Sequence, residues 1–95
     1  FLVHRQRYLQ CGGENEHFTG WGPEDAERLH RVRILGHKAA WTKDGQAYHL
    51  YHSRGRNSDF YSDEDAIRLR KELVKVCSME KEELQDYITG KSWNQ

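Results

Sequence analysis

Apolar and polar positions along the 95-residue chain change their spacing from block to block, and each block predicts an element. Phe1-Leu2-Val3 is apolar and β-favouring, which fits the end of a buried inner strand already under way. Arg5 to Gln10 holds one or two helical turns, and Gly12-Gly13 stops them with the positive φ angles of a sharp turn. Glu14 to Gly22 reads as a loop carrying two large aromatics, Phe18 and Trp21. From Pro23 to Leu35, Ala26, Leu29, Val32 and Leu35 recur three apart, the spacing of one helix face. Pro23 suits the first helical position, Glu24 and Asp25 place negative charge at the positive end, and Gly36 stops the helix. Glu27, Arg28 and Arg31 are expected mostly on the solvated side.

Ala39–Lys43 and Gln46–His52 flank Asp44-Gly45, the pair favoured by a tight hairpin turn, so a β-hairpin is predicted. Residues 53–58 are polar around Gly55 and predict a loop. Ser62 with Asp65 three residues later reads as a capping box opening a helix to about Cys77, with Ile67, Leu69, Val74 and Val76 as apolar positions. A last helix is expected from a Ser78 cap to about Tyr87, acidic at Glu80, Glu82 and Glu83 and ended by Gly90.

Composition narrows the function classes. Fifteen basic residues cancel fifteen acidic ones, so no net field draws the chain to nucleic acid or anionic lipid. The longest apolar stretch is far short of the roughly 20 residues a bilayer span needs, and no signal-peptide pattern opens the chain. Hydrophobic residues are 36% and charged residues 32%, polar for a domain standing alone, which suggests a missing neighbour. Phe1 in place of Met is consistent with an internal cut. Cys11 and Cys77 lack Cys-x-x-Cys spacing, which speaks against a zinc ribbon or redox motif and leaves their pairing and the compartment open.

Two constellations carry candidate chemistry. In Gly20-Trp21-Gly22-Pro23-Glu24-Asp25, two glycines let the backbone bend while a flat indole face is presented to a sugar. The carboxylates that follow can take a proton from an attacking hydroxyl, and plain helix capping is their competing account. His49 and His52 are candidate ligands for a divalent ion. In a regular strand residues three apart face opposite sides, so joint ligation needs the backbone to leave β geometry; hairpin packing by Tyr48, His49, Tyr51 and His52 is the competing account. His4, His17, His30 and His37 share no spacing.

Phe1-Leu2-Val3, Cys11-Gly12-Gly13, the hexad, Arg31, Gly36 and Tyr48-His49-Leu50-Tyr51-His52 together resemble the distal half of GT-A glycosyltransferases. The hexad resembles the Gly-Trp-Gly-Gly-Glu-Asp segment of the β-1,4-galactosyltransferase C-terminal domain and of related bacterial family 2 glycosyltransferases. That resemblance, over about residues 1–54, implies an α+β chain, the C-terminal fragment of a GT-A (α/β) fold with a short β-hairpin, an edge strand and three or so helices. Residues 1–56 would be the acceptor and metal segment and 57–95 a helical appendage, the N-terminal nucleotide-binding half being absent. By position the resemblance makes Asp25 the base that deprotonates the acceptor hydroxyl, with Glu24 beside it, and gives Trp21, Gly22 and Phe18 to the substrate. It makes His52, and more softly His49, ligands of Mn²⁺ or another divalent cation, completed by an Asp-x-Asp motif outside this chain. Neither Asp44 nor Asp59 to Asp65 sits on the strand where that motif belongs, so the chain alone is expected to be inactive.

The implied reaction moves a hexose or hexosamine from a nucleotide-sugar donor to a glycan or lipid-linked acceptor, and a bacterial cytoplasmic setting is favoured over the Golgi lumen. Pro23 and Ala26 depart from a glycine and an acidic residue of the family pattern, which leaves the sugar's identity open. The alternative is a non-catalytic carbohydrate-binding or protein-interaction module using Phe18 and Trp21. A metal-binding or nucleic-acid-binding adaptor ranks third.

Overall fold

A computed structural model describes residues 1–55 and 59–93, so part of the loop expected at 53–58 lies outside the described residues. Four helices follow in chain order: α1 (Arg5–Gln10), α2 (Glu24–Ile34), α3 (Asp63–Cys77) and α4 (Lys81–Thr89). Helix α2 packs against α3 and α4. Capping signals account for the start of α3 and the end of α2. Ser62 caps α3 by accepting the Asp65 backbone N–H at 3.1 Å, and Gly36 ends α2 at φ +96° while the His37 N–H bonds to the Val32 carbonyl at 3.0 Å. Pro23 sits one position outside α2, as its N-cap, and Glu80 rather than Ser78 precedes α4. Ser78 instead closes α3, its hydroxyl donating to the Val74 carbonyl at 2.7 Å.

The α+β expectation is overturned: among the described residues there is no strand, so neither the β-hairpin nor the edge strand of a GT-A fold is present. Gly45 keeps the positive φ of the expected turn, at +90°, but the flanking residues form no ladder. Trp41, Tyr48, Leu50 and Tyr51 are all exposed, as are Phe1, Leu2 and Val3. A two-stranded ribbon is marginal in water without a third strand or a packing layer, and the helices offer this segment neither.

The core gathers Cys11, Leu35, Val76 and Leu84, with Val32, Ile34, Met79, Tyr87 and Ile88 packed around them. Two charged residues expected outside are among the most buried side chains: Glu27 and Arg31 pair at 2.7 Å. Arg31 also donates to the Cys11 carbonyl, and its guanidinium lies 5.0 Å from the Trp93 ring centroid. Trp93 in turn donates from Nε1 to the Gly12 carbonyl at 2.9 Å. Gly12 stands at φ +90°, and a Cβ there would meet Trp93 Nε1 at 2.8 Å. The turn after α1, the middle of α2 and residue 93 are thereby fastened into one unit. Ala26, placed by spacing on the packed face of α2, is exposed, as are Ile67 and Val74 of α3.

Candidate functional site

The loop from Glu14 to Gly22 is held in place mainly by α3 and the residues leading into it. Arg68 donates to the His17 carbonyl at 2.9 Å and to Thr19 Oγ1 at 3.2 Å. Asn15 is buried, donates to Glu72 Oε1 at 2.9 Å, and accepts the His17 backbone N–H at 3.0 Å. Glu72 also accepts the Tyr87 hydroxyl at 2.7 Å; burial, then that bond, holds the phenol well above its ordinary range.

The hexad is built on close approach. Gly20 stands at φ +69° with the Tyr61 ring where a Cβ would go, 2.9 Å from Cε1. At Gly22 a Cβ would meet Leu69 Cδ1 at 3.0 Å and Phe18 Cδ1 at 3.3 Å. Between them the Trp21 N–H donates to the Asp59 carbonyl at 3.1 Å, while the indole stays 50% exposed and meets Phe60 edge-on, centroids 4.8 Å apart. One aromatic surface is therefore half open beside a fixed backbone.

The two carboxylates that follow diverge. Asp25 is 85% exposed and bonded to Arg28 Nη1 at 2.7 Å. Arg28 is held from its other side by Glu14, whose carboxyl is lowered below its ordinary range chiefly by that hydrogen bond. The same bond raises the guanidinium further above its ordinary range. Asp25 is therefore open to solvent and oriented by a cation that is itself oriented. Glu24 turns the other way, into a pocket of about 240 Å³ shared with Glu14, Asn15, Glu16, Phe18 and Glu27, and its Oε2 is buried with no hydrogen-bond partner among the described residues. Phe18 is half-buried between this pocket and Gly22.

His49 and His52 come together because their segment is not a strand. Their Nε2 atoms lie 3.1 Å apart and the ring centroids 5.2 Å apart, both rings exposed. His52 Nδ1 also lies 3.2 Å from the Ser53 carbonyl. Two convergent imidazoles are half of a cation site; among the described residues no group of three or more His, Cys, Asp or Glu is gathered that could hold a metal. The structure thus joins the hexad residues with Phe18, and His49 with His52, as two separate clusters.

Phe60, Tyr61, Arg68 and Leu69, which frame the hexad, escaped sequence reasoning because residues 57–95 resemble no family segment. An aromatic pair directly ahead of the Ser62 cap is a local signal for Phe60 and Tyr61, since apolar residues just outside a helix start commonly pack, but no local signal ties Arg68 or Leu69 to the hexad.

Residues 1–53 match the family model described as the N-terminal domain of galactosyltransferase. That description carries neither the C-terminal placement nor the bacterial family 2 likeness expected from sequence. No curated protein and no solved structure matches the chain. No helix among the described residues is long and apolar enough to cross a membrane.

Proposed function

The chain belongs to the galactosyltransferase family, and on that premise we propose that it supplies the acceptor side of transfer of a hexose or hexosamine from a nucleotide-sugar donor, completed by a nucleotide-binding half elsewhere in a longer protein. The observation that carries this reading is the junction at the start of α2, where a half-open indole and an oriented, solvent-open carboxylate stand four residues apart. The acceptor ring stacks on Trp21. Asp25 takes the proton of the attacking hydroxyl while that oxygen bonds to the anomeric carbon and the diphosphate leaves with the bonding pair. Arg28, braced by Glu14, aims Asp25, and the unpartnered oxygen of Glu24 accepts a second acceptor hydroxyl in the pocket floored by Phe18. His52 with His49 would hold a divalent cation such as Mn²⁺ together with carboxylates outside this chain, supplying positive charge against the departing diphosphate.

The test is transfer itself. A longer chain containing this segment, given nucleotide-linked galactose, a divalent cation and a panel of sugar acceptors, is expected to form product, and Asp25→Asn to suppress it. Glycan binding without transfer by that chain would favour the carbohydrate-binding module, the reading for which the edge-on Trp21–Phe60 pair also speaks.

A further inference from the structure

Along α3 the charges change character. The acidic residues of its first turn, Asp63, Glu64 and Asp65, lie before Ile67, and Glu72 is turned inward to Asn15 and Tyr87. Beyond Ile67 the remaining charged side chains are Arg68, Arg70, Lys71 and Lys75. Arg68 is bonded to Asp65, His17 and Thr19, and Lys75 lies over the Tyr87 ring at 4.3 Å. Arg70 and Lys71 have no ion-pair partner among the described residues. In a chain with no net charge this is a local excess of cations.

The same face carries exposed aliphatic surface. Ile67 and Val74 are seven residues apart, hence on one stripe, and with Arg70, Lys71 and Lys75 they form an open, shallow patch on one face of α3. Arg70 joins that patch to the sugar-stacking site: its guanidinium lies 5.3 Å from the Phe60 centroid, and Phe60 is the ring that meets Trp21. Three chemistries therefore follow one another across the surface: a half-open indole, cations with no ion-pair partner among the described residues, and an aliphatic floor.

We propose that this strip binds the acceptor as a lipid-linked glycosyl phosphate, with the sugar on Trp21, the phosphate between Arg70 and Lys71, and the hydrocarbon along Ile67 and Val74. The proposal rests on the transferase reading of the hexad and names its acceptor class. A neutral glycan would leave the aliphatic floor and the cations unused. An acidic amphipathic helix would use the patch but leave the aromatic pair idle, and two aliphatic side chains are too little apolar surface to hold the chain on a bilayer. The order of the three chemistries matches an amphiphile with an anion at its middle.

The experiment is calorimetry on the chain with three probes below their aggregation concentrations: N-acetylglucosamine, its 1-phosphate, and that phosphate esterified with the ten-carbon alcohol citronellol. Affinity is expected to rise roughly fivefold with the phosphate and about tenfold more with the tail. Arg70→Gln should abolish the first step and Val74→Asp the second. Both positions are solvent-exposed, and unchanged circular dichroism would show that the variants are folded. Equal affinity for the three probes, or an unchanged ladder in Arg70→Gln, overturns the proposal. So does binding to phosphatidylglycerol vesicles as tight as to the sugar-phosphate ester, because the strip would then be a bilayer contact. The readout needs no turnover: an intact ladder on the chain, beside a longer chain that contains this segment and transfers no sugar, would sink the transferase reading and leave the strip standing.

Discussion

Glu27 and Arg31 meet at 2.7 Å across one turn of α2 with each side chain 1% exposed, so this ion pair lies inside the core. Removing one partner strands the other as a buried charge. Arg31→Leu or Glu27→Leu is expected to destabilise the fold by about 3–5 kcal/mol, enough to unfold a small domain. The double variant Glu27→Leu/Arg31→Leu should be more stable than either single one. Thermal melts of the three decide, and a double variant no better than the singles would mean that the bond from Arg31 to the Cys11 carbonyl matters more than the pair.

The two carboxylates of the hexad separate kinetically. In the longer transferase, Asp25→Asn should lower kcat by roughly 10²-fold or more, whereas Glu24→Gln should act mainly by raising the acceptor KM. Steady-state kinetics with varied acceptor reads both. The reverse pattern would make Glu24 the base, and a few-fold change in both would remove the mechanism.

Gly20→Ala is expected to cost about 1–3 kcal/mol, since φ +69° is strained for alanine and its methyl would press on the Tyr61 ring. Indole exposure is the sharper readout. Acrylamide quenching of Trp21 in a Trp41→Phe background should change in this variant; unchanged quenching would mean that Tyr61 swings aside without disturbing the hexad.

Acid should loosen the Arg28 bridge. The Glu14 carboxyl is lowered from its ordinary value of 4.5, so its contribution is fully present above that value and is lost as pH falls through the lower folded one. With Glu14 45% exposed the effect on stability is small. Melting between pH 5 and pH 2 should therefore fall less steeply in Glu14→Gln than in the parent.

His52→Ala is expected to abolish divalent-cation stimulation of the longer enzyme and His49→Ala to weaken it, while the chain alone binds Mn²⁺ weakly because two imidazoles lack carboxylate company. Titration calorimetry on the chain and metal-dependent rates on the enzyme check the two halves of this statement. Micromolar Mn²⁺ affinity for the chain alone would contradict it.

The helices were legible because their signals are local: Ser62 with Asp65, Gly36, and Gly90 each act within a turn. The hairpin was misread for the complementary reason. Asp44-Gly45 states a turn, but strands need partners, and nothing among the described residues near 39–52 supplies one. Burial of Glu27 and Arg31 was hidden because charged residues are read as solvent-facing, although their four-residue spacing was in view. The hexad announced its own chemistry. Its support did not, since Tyr61, Arg68 and Leu69 lie 39 or more residues beyond the hexad's Gly22 and only folding brings them close.

The clasp of Gly12, Arg31 and Trp93 also gives the molecule an internal clock. Cys11 sits within it, buried, whereas Cys77 is exposed; burial pushes both thiols up, so access alone separates them. An alkylating reagent should mark Cys77 promptly and reach Cys11 only during moments when the clasp is open. The lag between the two marks, followed by mass spectrometry, would measure how often Trp93 lets go of Gly12 and Arg31, and whether an occupied acceptor site slows that breathing.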